Sequence, residues 1–340
     1  MQTGVQSHSW CQATRQQILL LAILMCLLLS ALAGCGPNLA AVFASDALDV
    51  NGIAMVSPTD GWAVAILPAK HTSVVLRYQH GTWQLANPQP PLAPGDELRA
   101  VAVAGGQVWV AGEANTSGHG GNIATTGIID RFDGAHWLQA YVGQRVNALA
   151  MVSADDGWAA GMQGALYHYY NGSWHQVPDP LTMDLYALTM INAHEGWAAG
   201  DMGTILHYQN GVWTPYPHIS HEQFLSMSFV SPDNGWLVGQ DGTTVHYTQG
   251  EWIEVTTPAT NTLRAVSFTR AGIGWAVGDG GLIVQYRDGL WQTVSSPAST
   301  QLNAISAVNS SDVWAGGNMS SYSMLHDTAA GWQIVTFKLP

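Results

Sequence analysis

Tryptophan spacing constrains this chain more than any other feature. One series, Trp62, Trp109, Trp158, Trp197, Trp236, Trp275 and Trp314, follows a turn, and its last five members stand 39 residues apart. A second series, Trp83, Trp137, Trp174, Trp213, Trp252, Trp291 and Trp332, closes each unit. Fourteen of the fifteen tryptophans therefore fall in two registered columns, with Trp10 outside them. The text between the columns repeats as well: LYALTMINAHEGWAAG, FLSMSFVSPDNGWLVG and LRAVSFTRAGIGWAVG lead into GTILHYQNGVWTPY, GTTVHYTQGEWIEV and GLIVQYRDGLWQTV. Self-similarity at such a period is the signature of a repeat architecture.

Each unit has room for four short strands. The LxAxSF run makes the first, GWxVG the second, the TILHY run the third, and the segment at the closing Trp the fourth. Asn-Gly and Asp-Gly pairs ahead of the closing Trp are hairpin signals. Four strands in about 40 residues is the size of a propeller blade. Apolar residues occupy both alternating registers, as in sheets covered on both faces. The Trp columns are placed to pack between neighbouring sheets. The reading is an all-β, seven-bladed β-propeller over residues 50–340, with four antiparallel strands per blade. An open β-solenoid is the competing geometry. It would need a polar capping unit at each end, and none is visible. Leu39 to Ala44 is a candidate extra edge strand.

The N-terminus reads as an export signal. Arg15 is the only formal cation ahead of the apolar run Ile18 to Ala33, which is short for a permanent span. The run ends in Leu32-Ala33-Gly34-Cys35, which resembles the bacterial lipoprotein cleavage box. That resemblance implies a signal peptide over 1–34, a lipid on Cys35 and a tether over 35–49, by the pattern logic used for other lipidation motifs. The chain has three Cys, and Cys11 and Cys26 fall in the segment that would be removed. No disulfide or catalytic thiol is then expected. The expected location is the extracytoplasmic side of a bacterial cell envelope, anchored in the membrane through Cys35. Ten basic side chains against 23 acidic ones, a net charge of −13, make a poor nucleic-acid footprint.

The phrase SPDNGWLVGQDGTTVHYTQGEW, varied in every unit, resembles the repeat of the photosystem II assembly and stability factor propellers. It is more distantly similar to the BNR or Asp-box repeats of sialidases. The likeness spans about Val50 to Thr336 and shows most clearly in Gly235-Trp236-Leu237-Val238-Gly239 and Gly274-Trp275-Ala276-Val277-Gly278. It implies a repeat architecture and an assembly role. A His-Tyr pair stands where that family has Thr, so no photosynthetic role is implied.

Most conspicuous polar residues follow the repeat. Six residues before each closing Trp lie Arg77, Arg131, His168, His207, His246, Gln285 and His326. Equivalent positions on separate blades cannot easily converge on one ion, so these His read as structural and no metal or cofactor is expected. Asp60, Asp155, Asp156, Glu195, Asp233 and Asp312 lie in the turns between first and second strands, where acidic side chains cap tight turns. Two features depart from the repeat. Arg99, Arg145 and Arg264 lie at or just before the first strand of units 2, 3 and 6, a candidate binding rim on one face. An insertion from Glu113 to Gly127 forms a candidate binding loop carrying Glu113, Asn115, His119 and Asn122, and a smaller one, Leu67 to Ser73, occupies the same loop of unit 1.

No nucleophile–base pair, metal motif or phosphate loop stands out. A non-catalytic binding or assembly-scaffold protein leads, with a protein or a cell-surface glycan as partner. The alternatives are a glycan-active hydrolase of sialidase-like type and a purely structural surface protein. Sialidases hold a carboxylate with three Arg, and the count here matches. They also need an activated Tyr and an acid, which the sequence does not place.

Overall fold

The structure, a computed structural model, describes residues 47–115, 126–178 and 180–340. The expected signal peptide, Cys35, the candidate strand Leu39 to Ala44, and His119 and Asn122 of the candidate loop lie outside the described residues. Twenty-eight strands and five three-residue 3-10 turns make up the regular structure of the described residues. They group into units 1 to 7, covering 48–85, 97–142, 146–177, 185–215, 224–254, 263–294 and 302–336.

Unit 4 shows the plan. Its strands are Leu185–Asn192, Glu195–Gly200, Ile205–Gln209 and Val212–Pro215, paired antiparallel in that order. The GWxxG phrase has a steric cause. A Cβ on Gly200 would stand 1.8 Å from the Asp184 carbonyl oxygen, so the second strand can approach the first only without a side chain there. The turn that follows needs left-handed backbone at Met202, φ 53°, and Gly203, φ 70°. A Cβ on Gly203 would also meet the Ser220 carbonyl oxygen at 1.9 Å, so glycine is demanded there twice over.

The units are held to one another by the two Trp columns. Trp158, Trp197 and Trp236 each meet the closing Trp of the next unit edge-on, at 5.4, 5.5 and 5.4 Å between ring centroids. Trp314 of unit 7 meets Trp83 of unit 1 the same way, at 5.6 Å. A ring from the third strand, Tyr208, Tyr247, Tyr286 or Tyr78, completes each cluster. Aromatic pairs of this geometry add about 0.5–1.5 kcal/mol each beyond the area they bury. Serines stitch the first strands together. Val266 N–H donates to Ser226, Ala307 N–H to Ser267 and Met55 N–H to Ser306, at 3.0–3.1 Å. The first strand of unit 1 also pairs with the second strand of unit 7, Leu48 opposite Met319 and Asp49 opposite Asn318, so these two units share one sheet. Repeated four-stranded antiparallel units packed in this manner are the architecture of a β-propeller.

The histidine and acidic columns turn out to be one device. His168, His207, His246 and His326 lie flat on Trp158, Trp197, Trp236 and Trp314, at 3.9–4.2 Å. Their Nε2 atoms reach Asp156 at 2.8 Å, Glu195 at 3.6 Å, Asn234 at 2.9 Å and Asp312 at 2.8 Å. In unit 1, Arg77 lies 5.0 Å over Trp62 and 3.3 Å from Asp60. The carboxylates of Asp60, Asp156, Glu195 and Asp312, expected to cap turns, instead reach across the sheet to the group that covers the indole. Burial holds the pKa of His207 and His246 below the usual imidazole value, with Glu195 partly countering this for His207.

One core column carries an exception. Leu76, Tyr167, Leu206, Val245, Val284 and Leu325 fill the same third-strand position in six units, and unit 2 has Asp130, wholly buried. Burial pushes its carboxyl up to about 7; Gln139, opposite it in the ladder, pulls the other way, and Asp96 adds to the rise.

Candidate functional site

At the ends where the first strands begin, the units line a cavity of about 460 Å³. One first-strand position supplies a side chain from each unit: Asn51, Arg99, Asn147, Tyr186, Leu225, Arg264 and Asn303. Asp49, Glu97, Arg145 and Gln301, two residues earlier in the chain, add a second layer. All three arginines singled out by the sequence therefore meet in one cavity. Arg99 and Arg264 share a layer, and Arg145 stands in the layer outside it.

The strand geometry explains the convergence. Side chains alternate in direction along a strand, so residues two apart face the same way. The asparagines tie neighbouring units at this mouth. Asn51 Nδ2 donates to the Leu98 carbonyl, Asn147 Nδ2 to that of Leu185, and Asn303 Nδ2 to the Asp49 carboxylate, each at 2.9 Å.

Each arginine has an acidic neighbour. Arg99 pairs with Glu97 at 2.7 Å and Arg145 reaches Glu113 at 3.7 Å. Arg264 grips Asp279 with two nitrogens, at 2.5 and 3.3 Å. The mouth is thus a mixed-charge surface. Its groups are strained electrostatically. Burial, then the nearby Arg145 charge, lowers the Arg99 pKa, and Arg99 Nε lies buried with no hydrogen-bond partner among the described residues. Burial raises the Asp49 carboxyl against the pull of Arg264 and Asn303. Burial, then Asp201 and Asp184, pushes the Tyr186 hydroxyl up to about 12. A phenol so held keeps its proton, the reverse of what a nucleophilic Tyr requires.

The candidate loop is shorter than its sequence limits. Glu113 belongs to the strand Gln107–Ala114, where it faces Glu97 on one side and Gly127 on the other. It acts here as the acidic neighbour of Arg145. Asn115 is fixed at the strand end, its N–H on the Asp96 carboxylate at 2.7 Å and its Nδ2 on the Pro94 carbonyl at 3.1 Å. In unit 1, Leu67 and Thr72 pair across the turn Pro68–Lys70, so the insertion there extends a hairpin. Sequence reasoning missed Tyr186, Asp49 and Asn303. They could have been found by counting eleven residues back from Trp197 and Trp314, and thirteen back from Trp62.

The fold and this mouth define a β-propeller with a polar cavity lined by its first strands. No protein-family model matches the sequence, and no curated protein does. Solved structures do share the fold. YCF48 from Cyanidioschyzon merolae matches with a TM-score of 0.63 and 15% identity, over 85% of this chain and 98% of that one. A structure described as YCF48 bound to D1 peptide matches with a TM-score of 0.64 and 14% identity, over 84% and 93%. The WD40 β-propeller domain of Doa1 matches at 0.60 and 11%, over 86% and 96%. At these identities the likeness is one of fold, and function is argued from the site.

Proposed function

We propose that the seven units close into a seven-bladed ring, and that the protein is a non-catalytic scaffold binding a protein partner at the arginine-bearing mouth. We further propose that a lipid on Cys35 holds it at the extracytoplasmic side of a bacterial membrane. Support for closure comes from unit 7 using on unit 1 the same Trp pair and serine bond, Met55 N–H to Ser306 as Phe268 N–H to Ser228, that join units 5 and 6. The observation that carries the function is the meeting of Arg99, Arg145 and Arg264, from three separate units, in one cavity. The mixed charges and the orphaned Arg99 Nε suit a polar protein surface that offers both hydrogen-bond donors and acceptors. A propeller of this fold described as bound to a peptide makes peptide capture a natural use of such a scaffold. The protonated Tyr186 and the neutralised arginines weigh against a sialidase-like hydrolase.

The test is affinity capture from membranes of the source cells with wild type and an Arg99/Arg145/Arg264 triple-alanine variant of matching melting curve. Capture of a discrete protein by wild type, lost in the variant, is expected. Equal capture by both, or capture of glycan instead, would refute the reading.

A further inference from the structure

The interface between units 6 and 7 breaks the pattern that the others share. Five positions before the closing Trp, six units carry a ring: Tyr78, Phe132, Tyr169, Tyr208, Tyr247 and Tyr286. In each case that ring packs on the first-column Trp of the preceding unit or, for Tyr78, on Trp314. Unit 7 has Asp327 instead. Unit 6 adds a second departure, because Gln285 replaces the His or Arg column and Ile273 the polar residue opposite it. Trp275 is consequently the one first-column Trp with no aromatic neighbour among the described residues.

A cavity of about 580 Å³ lies at this interface. Its walls include Gln285, Arg287, Asp327 and Trp332, with Ser296 and Ser310. Asp327 is 9% exposed, and no cation stands within 4.0 Å of its carboxylate among the described residues. Burial raises its pKa, against the pull of His326, Arg287 and the Trp275 indole. A carboxylate without a close counter-ion, in the wall of a cavity and opposite Trp332 in the ladder, has the makings of a cation site. Low local dielectric strengthens its attraction for an entering charge. An indole face attracts a cation through its ring quadrupole. The overall charge of −13 also draws cations rather than anions to the surface.

We propose that this cavity binds an organic cation, an ammonium or guanidinium on a short apolar stem, which pairs with Asp327 and lays its stem along Trp332. The site is independent of the arginine-bearing mouth. The same chemistry comes from a lysine or arginine side chain of a polypeptide or from a free di- or polyamine.

Isothermal titration of the full protein with cadaverine, agmatine and Nα-acetyl-lysine methylamide tests this. Saturable binding of at least one is expected. Asp327→Asn, which keeps the shape and removes the charge, should weaken it at least tenfold. Asp327→Tyr, which restores the ring of the other units, should abolish binding while the melting temperature holds or rises. Preference for the capped lysine would assign a polypeptide ligand, and preference for cadaverine or agmatine a free amine. No saturable binding by any probe would overturn the proposal. So would undiminished binding by a folded Asp327→Asn variant, or saturation by a neutral glycoside instead.

Discussion

The outer interfaces and the inner mouth use the same repeat in opposite ways. Between units 3 and 4, 4 and 5, and 5 and 6, the same Trp, His and Tyr recur at each position, with nearly the same distances. At the mouth a single first-strand position holds three Asn, two Arg, a Tyr and a Leu. Packing tolerates only certain shapes in a dense interior, whereas a solvated cavity wall can change its chemistry without loss of the fold. The difference teaches that packing resides where the units agree and that the side-chain chemistry is free to vary where they diverge, which is where the proposed recognition is placed. Asp130 and Asp327 sharpen the point, since both place a carboxyl where agreement would require an apolar or aromatic side chain.

The largest break in this comparison is Trp197→Ala. It removes a ring that is 1% exposed and meets Trp252, Tyr247 and His207. Denaturant unfolding should show a loss of about 3–5 kcal/mol. An Asp130→Leu replacement should act in the other direction. A carboxyl raised from 3.8 to about 7 in the folded state costs nothing below pH 3.8. The cost grows as pH rises towards 7, because the folded protein then holds a proton that the unfolded chain releases. At pH 8 the Leu variant should be more stable by up to about 4 kcal/mol, an advantage that shrinks on acidification. Equal pH dependence of both proteins would show that Asp130 is better solvated than its burial implies.

The smallest effect concerns the imidazoles. His207 and His246 are held neutral below their usual pKa, so the unfolded chain takes up protons first as pH falls through 6.5. Stability should fall in that window. A His207→Gln/His246→Gln variant should lose less between pH 7 and pH 5, read from chemical denaturation curves. An unchanged slope would assign the acid sensitivity elsewhere.

Much of this was legible in the sequence. The Trp columns located every unit, and the glycines of GWxxG located the second strands. The meeting of Arg99 with Arg264 was readable by counting back from Trp109 and Trp275. The counts are ten and eleven, because unit 2 turns on Gly105-Gly106. The pairing of His168, His207 and His326 with an acid across the sheet, and of His246 with Asn234, does not follow from the columns alone. Residues twelve apart meet only once the strand register is fixed, as for Trp158, opposite His168 in the ladder, with Asp156 two residues before it. The acidic neighbours of Arg145 and Arg264 are hidden for the same reason, whereas Glu97 stands only two residues before Arg99. Asp279 lies fifteen residues beyond Arg264, and only the close approach of the second strand to the first brings it back. Unit 7 also exchanges volumes in a way no single column reveals: Val313 stands where five units have Gly, and Ala307 opposite it where they have Met or Phe.

The central claim, that the protein partner is recognised at the mouth, has a direct test in living cells. A photo-reactive phenylalanine analogue would replace Leu225, which lines the cavity, or Leu290, which is 62% exposed on a fourth strand. A discrete cross-linked protein from position 225, and none from position 290, is the predicted result. Cross-links from position 290 with none from position 225 would contradict the account.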